Sequence, residues 1–360
     1  MAGGDRREPT ALADREAAVM LGTGWLSALG AVLVAAGAQA LEITWEELAP
    51  LPVSRGGHAA AWLDGRLIVM GGTTWQGEQK RWLSQVEAYA ARSRAWETIG
   101  QLPHPLADAA AAERRQQRWL IGGADRTTTF DTVWRVRLDG DRLVCIPDQP
   151  LPEPRAYASA QFVGSALHVI GGATDANNLS TARPTLLIRS SPTEGTPWRR
   201  GPDLPAQPRV LAASAVLQGA IYLFGGCYQD GAQAVRNLAE TWRYDPRLQQ
   251  WRRCADAPWA ARGWEAVALD GRRALLLGGY VASPEEDRDQ GPGFGFSDRV
   301  LLYDATTDRF ERLGQQPMAA IGSAPVLHEG VVYLTGGEQR KRGRTERCFA
   351  GRLRGGSRLP

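Results

Sequence analysis

The chain has 360 residues, 43% of them hydrophobic, and its 42 basic and 39 acidic side chains leave a net charge of only +3. So small an excess, with no long run of one sign, excludes a general nucleic-acid surface and a charged disordered tail. The length is compatible with two domains, but an internal repeat argues for one repeated unit.

Residues 1–40 stand outside the repeat. Val19–Ala38 is nearly uncharged and runs into Ala38-Gln39-Ala40, an Ala-x-Ala cleavage pattern. This reads as a secretory signal cut after Ala40, placing the mature protein in the periplasm or outside the cell. Left uncut, about 20 apolar residues suffice for a membrane anchor. The segment before it is mixed in sign, with Arg6, Arg7 and Arg15 against Asp5, Glu8, Asp14 and Glu16.

From residue 41 to 354 short hydrophobic runs end six times in a double glycine: Gly71-Gly72, Gly122-Gly123, Gly171-Gly172, Gly225-Gly226, Gly278-Gly279 and Gly336-Gly337. The spacings are 51, 49, 54, 53 and 58 residues, the signature of one supersecondary unit copied and stacked. Three copies place an aromatic seven residues after a tyrosine: Tyr89 to Trp96, Tyr244 to Trp251, Tyr303 to Phe310. Proline turns such as Leu51-Pro52, Leu102-Pro103 and Leu204-Pro205 separate the units. The fourth unit reads as four strands, 211–217, 220–224, 240–244 and 250–253, bounded by Gly and Pro. The last unit offers three, 323–327, 331–335 and 347–353. The segment 43–48, with Trp45, supplies the missing fourth, so the N-terminal strand closes the sixth blade and no sheet edge is left open.

This pattern resembles the Kelch repeat, and six copies imply an all-β, six-bladed Kelch β-propeller over 41–354, followed by a short tail, 355–360. Units two and three are degenerate, with Trp134-Arg135 and Leu187-Ile188 where the others carry Tyr-Asp.

In such a fold the turn entering each first strand and the turn after each glycine pair converge on one funnel. Arg55, Arg155, Arg209 and Arg262 recur near the first strands, so as a ring they would attract a carboxylate. They serve equally well as turn-bonding scaffold. The loop after Gly72 carries Trp75, Lys80, Arg81 and Trp82; the longest loop, 280–298, begins at Tyr280 and holds Phe294 and Phe296. Aromatic and basic side chains over a pocket suit an acidic sugar, and they suit a protein partner too.

The sixth loop reads Gly337-Glu338, five residues, then Arg344-Thr345. It resembles the Gly-Glu-x5-Arg-Thr stretch of the bacterial N-acetylneuraminate epimerases, secreted propellers that interconvert sialic acid anomers. The resemblance implies Glu338 and Arg344 as active-site residues, a sialic acid or related acidic sugar as substrate, and no cofactor. The competing reading is a non-catalytic module that binds glycan or protein. A copper oxidase is disfavoured, because His58, His104, His168 and His328 are scattered along the repeats. Cys145, Cys227, Cys254 and Cys348 form no Cys-x-x-Cys pair, so no metal is expected. Of these, only Cys227 and Cys254 share a unit, and whether they pair is left open.

Overall fold

The computed structural model describes residues 41–90, 92–190, 195–281 and 295–355. The proposed signal segment 1–40, Phe294 with most of its loop, and residues 356–360 lie outside the described residues. Six four-stranded antiparallel sheets form the blades. The fourth blade shows the plan: Ala213–Leu217, Ala220–Phe224, Thr241–Asp245 and Gln250–Arg253, within two residues of the boundaries expected from sequence. The sixth blade is built from Val326–His328, Val331–Thr335 and Cys348–Arg354, and its outer strand is the N-terminal Glu42–Leu48, paired from Glu42↔Arg354 to Leu48↔Cys348. Its first strand starts at Val326 rather than 323. Gly322 and Ala324 adopt positive φ (64° and 39°) and Pro325 has no amide hydrogen to give a ladder.

The double glycines mark where one blade touches the next. The amide of each second glycine donates to the carbonyl of the residue that leads into the next blade. The bonds run from Gly72 to Leu106 (2.8 Å), Gly123 to Arg155 (2.7 Å), Gly172 to Arg209 (3.1 Å), Gly226 to Ala261 (2.9 Å), Gly279 to Ala320 (3.3 Å) and Gly337 to Arg55 (2.7 Å). That same carbonyl oxygen lies only 2.0–2.6 Å from where a Cβ on the first glycine would stand. Both glycines also have positive φ in all six pairs. Any side chain would push the blades apart and strain the backbone at once.

Aromatics make the outer contact. Tyr89–Trp96, Tyr244–Trp251 and Tyr303–Phe310 are directly opposed cross-strand pairs with ring centroids 5.3, 5.0 and 4.8 Å apart. In four blades an indole in or next to the fourth strand bridges backwards. Trp45, Trp96, Trp198 and Trp251 donate Nε1–H to the carbonyls of Gln315, Ala49, Gln149 and Pro202, each at or just past the end of the preceding blade's last strand. Apolar ring area and a satisfied N–H thus hold adjacent sheets together.

A substitution pair separates steric contact from backbone strain. Gly122 and Gly140 have nearly the same φ (63° and 61°), but a Cβ on Gly122 meets the Arg155 carbonyl at 2.0 Å while one on Gly140 meets nothing within 4 Å. Gly140→Ala is expected to cost about 1–2 kcal/mol. Gly122→Ala should cost roughly 2–5 kcal/mol, with overpacking added. Urea unfolding of the two variants measures the difference; equal midpoints would refute the contact as the reason for the repeat.

Candidate functional site

The innermost strands crowd round the axis, and where they begin they form a neck. Gly57, Asp108, Tyr157, Leu211, Gly263 and Gly322 occupy equivalent positions, all with φ between 55° and 66°. Amides pass hydrogen bonds from blade to blade: Gly57 to Gly322 O, Asp108 to Gly57 O, Tyr157 to Asp108 O, Leu211 to Tyr157 O and Gly263 to Leu211 O, at 2.8–3.2 Å. The Gly322 amide points instead at the Glu265 carboxyl. Three of these left-handed positions carry side chains, which is strained for Tyr and Leu and tolerated by Asp.

Above the neck lies the funnel. The sixth-blade loop folds as a small hairpin in which Glu338 is directly opposed to Arg344. Arg344 Nη1 stands 2.9 Å from Glu338 Oε1, with the guanidinium side chain 9% exposed and the carboxylate side chain 24% exposed. Arg344 lies flat on Gly56, where a Cβ would come within 2.9 Å of its Cδ, and its Nε donates to Thr73 Oγ1 at 3.3 Å. The first-blade hairpin, Thr73–Gln76 against Gln79–Trp82, stands alongside. Trp75 carries Arg342 over its ring at 5.4 Å, and Lys80 lies over Trp82 at 4.8 Å.

Asp108 joins this cluster from the second blade. Its Oδ1 rests on Gly57, 2.4 Å from where a Cβ would be, beside the glycine that Arg344 covers. Burial pushes its carboxyl up to about 6, against the pull of the Lys80 and Arg344 cations and with repulsion from Glu338 added. Tyr157, next in the ring, has its phenol pushed well above the ordinary range, first by the Asp108 charge and then by burial. It donates to Ala176 O at 3.4 Å.

Below the neck the channel widens into a cavity of about 470 Å³ lined by the innermost strands. Thirteen of its 33 lining residues are alanines, small side chains that fit where six strands converge on an axis. Beside His58, Asp108 and Tyr157 its polar groups include Glu113, Arg118, Ser159, Gln161, Ser214 and Glu265. Burial pushes the Glu265 carboxyl up to about 7, opposed by the Gly322 amide and Arg118. Asp108 and Tyr157 line this cavity, whereas Glu338 and Arg344 do not. The funnel floor, with two cations beside its carboxylates, is the better anion site; the channel holds one cation against Glu113 and Glu265.

The arginine ring does not form. Arg55, Arg155 and Arg209 are 0–1% exposed and turn into their own blades. Arg55 donates to Gly71 O and Gln85 O and pairs with Glu87; Arg155 reaches Glu153 and Thr185; Arg209 reaches Gly225 O and Glu240. Arg55 and Arg209 satisfy carbonyls at the glycine turns, and Arg155 bonds within its own blade and to the turn before it, the scaffold role left open by sequence. Arg262 is out of register by one residue, since Ala261 takes the leading position. Its guanidinium lies 4.1 Å over the Tyr280 ring and donates to Asn237. Tyr280 and Phe296 meet edge to face, so these three line the rim between blades four and five. Arg81 projects from the opposite face of its hairpin to Trp75, Lys80 and Trp82 and bonds to exposed Gln79. Asp108 escaped sequence reading because its repeat equivalents are Gly, Tyr and Leu; its signal was an acidic side chain where the copies have none. The histidines are dispersed, and among the described residues no three His, Cys, Asp or Glu side chains converge as metal ligands would. The four cysteines are free thiols, Cys227 and Cys254 among them.

Residues 208–258 match the Kelch motif. The chain is 33% identical over 185 residues to the N-acetylneuraminate epimerase of Yersinia enterocolitica, covering 44% of this chain and 47% of that protein. It is 31% identical over 188 residues to the N-acetylneuraminate epimerase of Yersinia pestis, covering 45% and 48%. The chain thus spans about half the length of these epimerases. The Kelch-like protein terF of Aspergillus terreus is 25% identical over 329 residues, covering 86% of this chain and 69% of that protein.

Glu265 makes a pH prediction with a definite sign. Its carboxyl is held near 7 in the folded protein and titrates near 4.3 when unfolded. Between those values the native state binds more protons, so its contribution to stability is present at low pH and is lost as pH rises toward 7. Glu265→Gln keeps an acceptor for the Gly322 amide and has no charge to desolvate. The variant should melt higher than the unaltered protein at pH 8, and the gain should vanish at pH 4. A difference independent of pH, measured by thermal unfolding, would rule out charge burial as its cause.

Proposed function

We propose that the protein is an exported six-bladed propeller that interconverts the α and β anomers of N-acetylneuraminate or a closely related acidic sugar. The observation that carries the reading is the Glu338–Arg344 pair, 2.9 Å apart on the funnel floor. The similarity to N-acetylneuraminate epimerases supports it.

Anomer exchange passes through the open-chain ketone and needs a base at the anomeric hydroxyl. Glu338 is that base. Arg344 takes the sugar's C1 carboxylate with its planar fork, aided by Lys80, and Trp75, Trp82 and the Arg262–Tyr280 rim close round the ring and its side chain. Residues 1–40 direct export and are removed after Ala40; sequencing the N-terminus of protein taken from the periplasm tests this, with Leu41 expected first.

The alternative is a Kelch module that binds glycan or protein without turnover, favoured by the similarity to a Kelch-like protein over 86% of the chain. One-dimensional NMR of fresh α-N-acetylneuraminate, released by a sialidase, separates the two. Micromolar protein should speed appearance of the β anomer. Glu338→Gln should slow the catalysed rate by about 10²-fold or more. Arg344→Lys should raise KM more than it lowers kcat, since one ammonium replaces a bidentate fork. No acceleration by the unaltered protein would leave the binding module.

A further inference from the structure

Opening the sugar ring requires a second proton transfer, to the ring oxygen as its bond to the anomeric carbon breaks. We propose, resting on the mutarotase reading, that Asp108 is the general acid that supplies this proton opposite Glu338.

The placement carries the argument. Asp108 enters the site from blade two and Glu338 from blade six, yet their supports are consecutive residues. Asp108 covers Gly57, and Arg344, which pairs with Glu338, covers Gly56. Neither glycine has room for a side chain beneath the group lying on it. A sugar seated over this glycine pair therefore has Asp108 on one side and the Arg344–Glu338 pair on the other. Asp108 also holds a left-handed backbone (φ 57°) locked by two ring hydrogen bonds, its amide to Gly57 O and its carbonyl from Tyr157 N–H. That rigidity aims the carboxyl.

The surroundings set two carboxyls apart in role. Asp108 faces Lys80 from the blade-one hairpin, Arg344 and Glu338 from the sixth loop, Tyr157 from blade three and Glu265 from blade five. Glu338 is ion-paired, whereas the Asp108 carboxyl is raised to about 6 by burial and keeps a proton in part of the population near neutrality. Paired carboxyls in unlike environments are how acid and base are told apart. The step balances. Glu338 takes the anomeric O–H proton, the C–O ring bond breaks with its electron pair going to the ring oxygen, and Asp108 protonates that oxygen. After rotation about the bond next to the carbonyl, Asp108 recovers the proton as the hydroxyl attacks the other face, and Glu338 returns its proton to the carbonyl oxygen.

The test is the pH dependence of anomer exchange by the unaltered protein, Asp108→Asn and Tyr157→Phe, with thermal unfolding alongside. Asn suits the left-handed position and keeps the shape of the side chain. The unaltered protein should show kcat falling as pH rises through about 6. Asp108→Asn should lower kcat by about 10²-fold with KM nearly unchanged, and that alkaline limb should vanish. Tyr157→Phe should retain it. An active unaltered protein without the limb, an Asp108→Asn enzyme that keeps both rate and limb, or loss of the limb on Tyr157→Phe would each overturn the assignment while sparing the mutarotase reading. An unaltered protein with no activity would overturn both.

Discussion

One hydrogen bond, repeated six times, organises the molecule: the second glycine's amide to the carbonyl leading into the next blade. It is short because the first glycine offers no Cβ to that carbonyl. The blades meet there, close to the axis, and both sets of turns are drawn to one end of the channel. The buried arginines belong to the same device. Arg55 and Arg209 donate to the carbonyls of Gly71 and Gly225, groups which the positive-φ turn leaves without a strand partner. A buried guanidinium is tolerable only where acids and carbonyls surround it, and Glu87 and Glu240 complete that set.

The neck follows from the same contact. Six chains arriving side by side at the axis pass five amide-to-carbonyl bonds round the ring from left-handed positions. Three of the six use glycine, and the other three bring Asp108, Tyr157 and Leu211 to the boundary between funnel and channel. Deep placement in a narrow, water-accessible passage raises the carboxyls of Asp108 and Glu265 without sealing them off. Groups poised near neutral pH are suited to proton transfer.

Legibility was uneven for physical reasons. Strands, blade number and outer aromatics were plain in the chain because each answers to a local rule: alternation, turn residues, a seven-residue aromatic offset. Glu338 and Arg344 were singled out by a resemblance carried on one short loop, and the hairpin opposes them directly. The arginine ring misled, because spacing along a strand does not say whether a long side chain turns toward the axis or back into its own sheet. Arg262 differed from the other three by a single residue of register, and that slip moved it from the scaffold to the rim. Arg81 shows the same parity effect on a hairpin: one step along a strand changes its face.

The sequence by itself determined the repeat, the four-stranded unit and the number of blades, because these depend on residues near one another in the chain. It gave away the N-terminal origin of the sixth blade's outer strand because the last unit is one strand short. Only the tertiary structure brings the members of the candidate site together. Asp108, Glu338, Arg344 and Lys80 come from three blades, and no local pattern links residues 80, 108 and 338. Ring closure brings the first and last repeats side by side, so that Gly56 and Gly57 support groups from the sixth and the second blade. Proximity of that kind is a property of the closed circle, and the chain acquires it only when the blades have met.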